Sequence, residues 1–230
     1  MMETPWSKSG YVGFLDKLWK NPIRQNRAEY RIKMLGLINE EAGLFSDAII
    51  VDCGCGTGIL FEYLPGELKQ RYIGLDFTPE MVQHCKKAFR GHEDRFHQAD
   101  LLNVHELASL VEEIKTGTIF VTQNVIQHIT LYQMAVNNIF AQTPTSILMC
   151  ERTHYENTRI QGYNPTRWRF KEDDYYHMLE YFAGDRYTTE KLGRPRTTKN
   201  ERNMLTIFRV RSKKTRIETS TNRTEESFSN

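Results

Sequence analysis

Apolar residues in this chain gather into short runs, and the intervals between the runs carry helical recurrence. Five runs read as strands, over residues 48–53, 71–76, 95–99, 118–123 and 146–151. Strands separated by helical crossovers imply a parallel, doubly wound sheet. Ahead of the first strand, Tyr30, Met34, Leu37 and Ile38 recur at helical spacing and predict a helix. After residue 165 the pattern changes. The stretch from Arg169 to Leu179 reads as a helix, followed by strand-like runs over 187–192 and 204–210. From Ser212 the chain is polar, with only Ile217 and Phe228 as large apolar groups, and residues 212–230 read as a disordered tail. No internal repeat breaks this order.

Length and composition narrow the class. A chain of 230 residues can bury a sizeable core and most simply forms one α/β domain, preceded here by an N-terminal segment, residues 1–45. Hydrophobic residues at 39% and charged residues at 26% are ordinary values for a soluble protein. No apolar run approaches the roughly 18 residues that a membrane span needs, and the N-terminus lacks a signal-peptide pattern. Cys53 and Cys55 sit too close together for a comfortable disulfide, and no second Cys/His pair completes a zinc site with them. With Cys85 and Cys150 they read as reduced, space-filling thiols, which fits a cytoplasmic protein.

Candidate chemistry concentrates where the first strand ends. The apolar run Ala48-Ile49-Ile50 leads into Val51-Asp52-Cys53-Gly54-Cys55-Gly56-Thr57-Gly58. Glycine has no Cβ, so a loop of this kind turns sharply and brings bare backbone against a ligand. A dinucleotide fingerprint counted from Gly54 needs a small residue at position 59, where the chain has Ile59. Instead the glycines alternate, and Asp52 stands two places before the first. The second strand ends in Asp76, about twenty residues beyond the loop, where a carboxylate can accept both hydroxyls of a ribose. Thr78 then suits an N-cap and Pro79 the first helical position. A third strand ends in another acid, Asp100.

The glycine spacing with its leading acid resembles motif I of the class I S-adenosylmethionine-dependent methyltransferases, and Asp76 and Asp100 follow in the matching order. The resemblance covers residues 46–211. It implies an α/β, Rossmann-like fold whose seven-stranded, mostly parallel sheet ends in a C-terminal antiparallel hairpin. It also implies S-adenosyl-L-methionine as cofactor and S-adenosyl-L-homocysteine as product. Asp52, Gly54, Cys55, Gly56 and Gly58 then form the cofactor loop. Asp76 holds the ribose, Asp100 the exocyclic amine of adenine, and Phe77, Met81 and Leu101 flank the adenine. Gln123 touches the methionine end through its backbone. Pre-core segments in this family close over the cofactor and shape the acceptor pocket. Trp6 and Tyr11 are the lid candidates in that segment, while Trp19 reads as packing.

The acceptor site is expected beyond strands four and five. Methyltransferases acting on exocyclic amines of DNA bases carry a D/N-P-P-Y/F/W turn after strand four. Here Val125 and Ile126 follow Asn124, so that signature is missing and DNA is not expected as a partner. The run resembles the strand-four exit of small-molecule methyltransferases. His128 reads either as a general base, since an imidazole titrates near neutrality, or as a residue packing the following helix. Glu151 and His154 are weaker candidates for the same task. Glu172-Asp173-Asp174 suits the first turn of a water-facing helix, so no metal site is expected. Net charge is only +2, yet the stretch from Arg152 to Arg216 is dense in arginine. That density reads as a solvated basic face, a grip on an anionic acceptor or an RNA surface, and no separate RNA-binding module supports the last. The sequence therefore points to a cytoplasmic methyltransferase without membrane attachment. Its acceptor is a small molecule or glycan, methylated on oxygen. Nitrogen methylation of a small molecule or protein, or a non-catalytic partner subunit, are the alternatives.

Overall fold

The computed structural model describes residues 12–13, 28–112, 117–154, 158–159, 168–192 and 204–213. Helix α1 (Ala28–Leu44) precedes strand β1 (Ile49–Cys53), two short helices α2 (Ile59–Tyr63) and α3 (Gly66–Lys69), and strand β2 (Tyr72–Asp76). Helix α4 (Pro79–Ala88), strand β3 (Phe96–Gln98), helix α5 (Val104–Glu112) and strand β4 (Thr118–Gln123) follow. A 3₁₀ turn (Ile126–His128) leads to α6 (Tyr132–Ala141) and the long strand β5 (Ser146–His154). The chain closes with β6 (Thr158–Arg159), β7 (Trp168–Lys171), α7 (Glu172–Ala183), β8 (Tyr187–Lys191) and β9 (Met204–Ser212).

The parallel strands run in the order β3-β2-β1-β4-β5, and β9 pairs antiparallel along β5 from Ser146↔Arg211 to Thr153↔Met204. Strand β8 then pairs antiparallel with β9. These strands realise the expected sheet and its antiparallel ending. Two more short strands join them. Strand β7 lies parallel to the end of β5, Thr153↔Phe170 and His154↔Lys171, beyond the Gln123↔Cys150 pair where β4 stops. The β6–β7 hairpin therefore extends the sheet past β4, on the side where the strands' carboxyl ends emerge. The stretch from Arg169 to Lys171, expected to open a helix, is this strand, and α7 begins at Glu172. Ser212, expected to open the tail, closes β9.

Central strands are buried on both faces, and the alternation of their side chains divides the core in two. On one face Ile50, Ile119, Val121 and Leu148 pack under Tyr30, Met34 and Ile38 of α1 and Val82 and Cys85 of α4. On the other, Val51, Phe120, Ile147 and Met149 pack under α6 and α7 through Val136, Ile139, Phe140, Tyr175 and Leu179. Helix α1 is also tied by charge. Arg211 on β9 forks onto buried Glu41 through Nε (2.9 Å) and reaches Glu40 (2.7 Å), while Arg209 bridges Glu40 (2.9 Å) and Glu190 (2.6 Å). Two arginines of the basic stretch are thus engaged by α1 and β8.

Candidate active site

The glycine loop leaves β1 over a polar contact that the sequence does not announce. Asp52 is buried, and Tyr72 of β2 donates its phenol to Asp52 Oδ2 at 2.7 Å. Burial pushes the Asp52 carboxyl up to about 7, with the Tyr72 bond opposing and the nearby Asp76 charge assisting. Asp52 therefore supports the loop from below. Gly54, Gly56 and Gly58 all take positive φ (75°, 56° and 75°). The Gly54 requirement is doubled, because a Cβ there would stand 2.5 Å from a γ-methyl of Val125. The N–H groups of Gly54 and Cys55 both donate to Leu75 O at 2.7 and 2.9 Å, tying the loop to β2. All four cysteines are buried and free, and Cys85 Sγ donates to Gly56 O at 3.2 Å.

Gly56 faces the other way. A Cβ there meets nothing within 4 Å. Its N–H donates to Asp76 Oδ2 at 2.9 Å, while Asp76 Oδ1 accepts from Thr78 N–H at 2.9 Å. A carboxylate offers about four lone-pair sites. Two of them are taken by the backbone and the Thr78 hydroxyl engages the carboxylate as well, so Asp76 keeps acceptor capacity for a further hydroxyl. Burial raises its pKa and the Thr78 and Gly56 bonds pull it back. Next to it the Phe77 ring is 51% exposed, whereas Met81 is buried in the fold. Asp100 is half-buried two residues past the end of β3, and its Oδ1 accepts from Leu102 N–H at 2.9 Å. Leu101 is buried, with its carbonyl accepting from Asn138 Nδ2 at 3.0 Å.

Opposite the loop, the exit of β4 is held in a constrained turn. Asn124 has φ 60°, a left-handed conformation that asparagine tolerates better than most residues. Its N–H donates to Cys150 O at 2.9 Å, and Gln127 Nε2 donates back to Asn124 O at 3.2 Å. Val125 lies against Gly54, and the half-buried His128 ends the 3₁₀ turn. Glu151 is buried beneath this turn: its Oε1 accepts from Thr122 Oγ1 at 2.9 Å and from Val125 N–H at 3.3 Å. Gln123 lines a crevice with Arg31 and Leu35 of α1 and Ile59, Leu60 and Tyr63 of α2, so α1 borders the helix that follows the loop. Tyr11, Trp6 and Trp19 lie outside the described residues, as does the side chain of His154. Glu172 is not water-facing as expected: it is buried, with Lys191 Nζ at 2.9 Å and Thr206 Oγ1 donating at 2.9 Å.

Residues 50–142, from β1 through α6, match the protein family described as a methyltransferase domain. Over those residues the chain carries a methyltransferase domain, in the fold of the class I S-adenosylmethionine-dependent methyltransferases. Among solved structures, the methyltransferase is similar to magnesium protoporphyrin IX methyltransferase (ChlM) from Synechocystis PCC 6803 with bound SAH, at 14% identity and TM-score 0.62 over 90% of this chain and 97% of that one. It is also similar to the N-terminal domain of EvdMO1, determined in the presence of SAH and D-fucose (11%, TM-score 0.56, 78% and 82%). A third likeness is to the small RNA methyltransferase HEN1 (16%, TM-score 0.54), where 72% of this chain covers 23% of that one. At such identities these structures establish the fold. No curated protein sequence matches the chain.

S-adenosylmethionine is the cofactor of this family, and the residues present fit it. The space above Gly56 is open, Asp76 retains acceptor capacity beside it, and Phe77 offers an exposed ring at the same strand end. Of the acids read from the sequence, Asp76 closes β2, whereas Asp100 lies two residues past the end of the neighbouring strand β3, which stops at Gln98. No local pattern announces the Tyr72–Asp52 bond, the seating of Val125 on Gly54 or the hold of Glu151 on the β4-exit turn. The one available signal was Asn124, a residue type suited to a left-handed turn directly after a strand. Among the described residues no helix is long and apolar enough to cross a membrane.

Proposed function

We propose that the methyltransferase moves a methyl group from S-adenosylmethionine to oxygen on a small molecule or glycan, with an anionic acceptor among the candidates. The observation that carries this reading is the face-to-face arrangement of two turns. One is the glycine loop, open at Gly56 beside Asp76, and the other is the β4 exit, with Val125 seated on Gly54 and His128 three residues on. The cofactor supplies an electrophilic methyl on a sulfonium. The chain binds it through Gly56, Asp76 and Asp100, with Asp52 and Cys55 supporting the loop and Gln123 bordering its methionine end. His128 accepts the acceptor's proton, and residues 1–45 shape the acceptor side, since α1 already borders Gln123. The sugar present with EvdMO1 supports a glycan acceptor.

Calorimetric titration with S-adenosylmethionine and S-adenosylhomocysteine tests the cofactor assignment, and binding of both is expected. Labelled-methyl transfer to acidic sugars and hydroxylated anions then tests the acceptor. His128→Ala is expected to lower turnover while sparing S-adenosylhomocysteine affinity; an unchanged rate returns His128 to a packing role.

A further inference from the structure

Glu151 is the buried ionisable group that the proposed chemistry leaves without a task. It is fully buried on β5. One oxygen accepts from Thr122 Oγ1 and Val125 N–H, while Oε2 is buried without a hydrogen-bond partner among the described residues. A carboxylate in that setting is costly: it is desolvated, and what holds it is the Thr122 hydroxyl and the N–H groups of the turn.

We propose that Glu151 is a positioning residue for cofactor binding: its carboxylate form holds the β4-exit turn against the glycine loop, and its protonated form loosens that grip. The path is short. Glu151 holds Val125 N–H at 3.3 Å, and the Val125 side chain occupies the space that a Cβ on Gly54 would need. The turn needs such a hold because Asn124 sits at φ 60°, a conformation that persists only when its surroundings enforce it. A carboxylate accepts hydrogen bonds about twice as strong as those a neutral acid accepts. Burial raises the Glu151 pKa to about 7, opposed by the Thr122 hydroxyl and by the N–H groups of Val125, Ile126 and Gln127. The switch therefore falls within the range in which an enzyme works.

Other titratable groups surround it. Tyr175 of α7 feels the Glu151 charge and donates its hydroxyl to Met149 Sδ instead, and burial holds its phenol well above the usual range. Cys150, on the same strand, is raised by burial and by Glu151. Tyr132, at the head of α6, is raised by burial and by Asp174. These three stay neutral between pH 5 and 9. Asp52 under the glycine loop titrates in the same window and His128 on the turn is ionisable too, so the informative readout is a difference between variants.

This inference rests on the cofactor reading above, and the test separates the two. S-adenosylhomocysteine affinity is measured from pH 5.5 to 8.5 for wild type and Glu151→Gln, with folding checked by circular dichroism. The amide keeps an oxygen for Thr122 and Val125 but cannot ionise. Wild type is expected to match the variant at pH 5.5 and to bind about fivefold more tightly at pH 8.5, the worth of about 1 kcal/mol. A ratio that stays constant across pH overturns the proposal. If Glu151→Gln does not fold, Thr122→Val serves instead: losing its hydroxyl raises the Glu151 pKa, so the rise in affinity must move to higher pH, and an unmoved profile overturns the proposal. Folded wild type that binds no S-adenosylhomocysteine at any pH refutes the cofactor reading itself.

Discussion

Replacing Asp52 by asparagine removes a buried ionisation while leaving an oxygen to accept the Tyr72 phenol, and the consequence is a change in how stability depends on pH. Asp52 has a folded-state pKa of about 7, against about 3.9 for an unperturbed aspartate. A raised value means that the folded protein holds its proton more tightly than the unfolded chain does. The stabilisation tied to that proton is complete below pH ~4, falls as pH rises towards 7, and levels off above it. Each unit is worth ~1.4 kcal/mol, so the full span is ~4 kcal/mol and the part between pH 5 and 8 is ~3 kcal/mol. No solvent-screening discount applies, because Asp52 is only 3% exposed. The asparagine carries a fixed penalty of its own, because its amide brings two N–H donors to a position where the carboxyl only accepts from Tyr72. That penalty does not vary with pH and cancels when two pH values are compared. Urea unfolding of both proteins at pH 5 and 8 supplies the numbers. Between those pH values the wild type should lose ~2–3 kcal/mol relative to Asp52→Asn. Parallel losses, agreeing within ~0.5 kcal/mol, would refute the claim that Asp52 is a strained, buried carboxyl beneath the glycine loop.

Other variants isolate other parts of the site. Asp76→Ala removes two backbone hydrogen bonds and the acceptor for a ribose hydroxyl, so S-adenosylhomocysteine affinity should fall at least ~100-fold by calorimetry; undiminished affinity sinks the ribose assignment. Gly54→Ala places a methyl 2.5 Å from Val125 at φ 75° and should destabilise the fold by ~3 kcal/mol in denaturant titrations. Gly56→Ala meets open space, so it should cost only ~1–2 kcal/mol in stability yet abolish cofactor binding, and retained binding there would place the ligand elsewhere. Arg211→Met removes the forked partner of buried Glu41 and leaves it Arg209 at 3.7 Å, so it should destabilise by ~2 kcal/mol, less than for a fully buried pair that loses its one partner. Its S-adenosylhomocysteine affinity should not change, and a drop in affinity without loss of stability would put this arginine in the site.

The parts of the fold that could be read from the sequence are those built from contiguous residues. Ile49 to Val51, Ile119 to Val121 and Ile147 to Cys150 are unbroken apolar runs, and no tertiary contact is needed to recognise them. Tyr30, Met34, Leu37 and Ile38 mark α1 for the same reason, and all four are buried. Strand β7 was missed because it is four residues long and owes its conformation to the free edge of β5 beyond β4, a partner no local pattern names. Its misreading as helix also has a local cause. Glu172, Asp173 and Asp174 are a first-turn signal, and the helix they start was extended backwards over Arg169 to Lys171. In the site, Asp76 is legible because it closes β2, and Asp100 because it follows β3 by two residues. Asp52 with Tyr72, Val125 with Gly54 and Val125 with Glu151 are not, because each pair joins two different strands or their exits.

The arginines show why charge is harder to place than hydrophobicity. Along β9, Arg209 and Arg211 alternate with Phe208 and Val210, so the chain alone says that the two share a face but not what lies on it. That face meets α1, whose Glu41 is 170 residues away from Arg211 in sequence and is nevertheless buried against it. A count of basic residues between Arg152 and Arg216 therefore overstates what is left for an anionic acceptor, since these two are spent on holding α1 to the sheet. Because α1 also lines the crevice at Gln123, the same ion pairs that engage Arg209 and Arg211 fix the helix that forms one wall of that crevice.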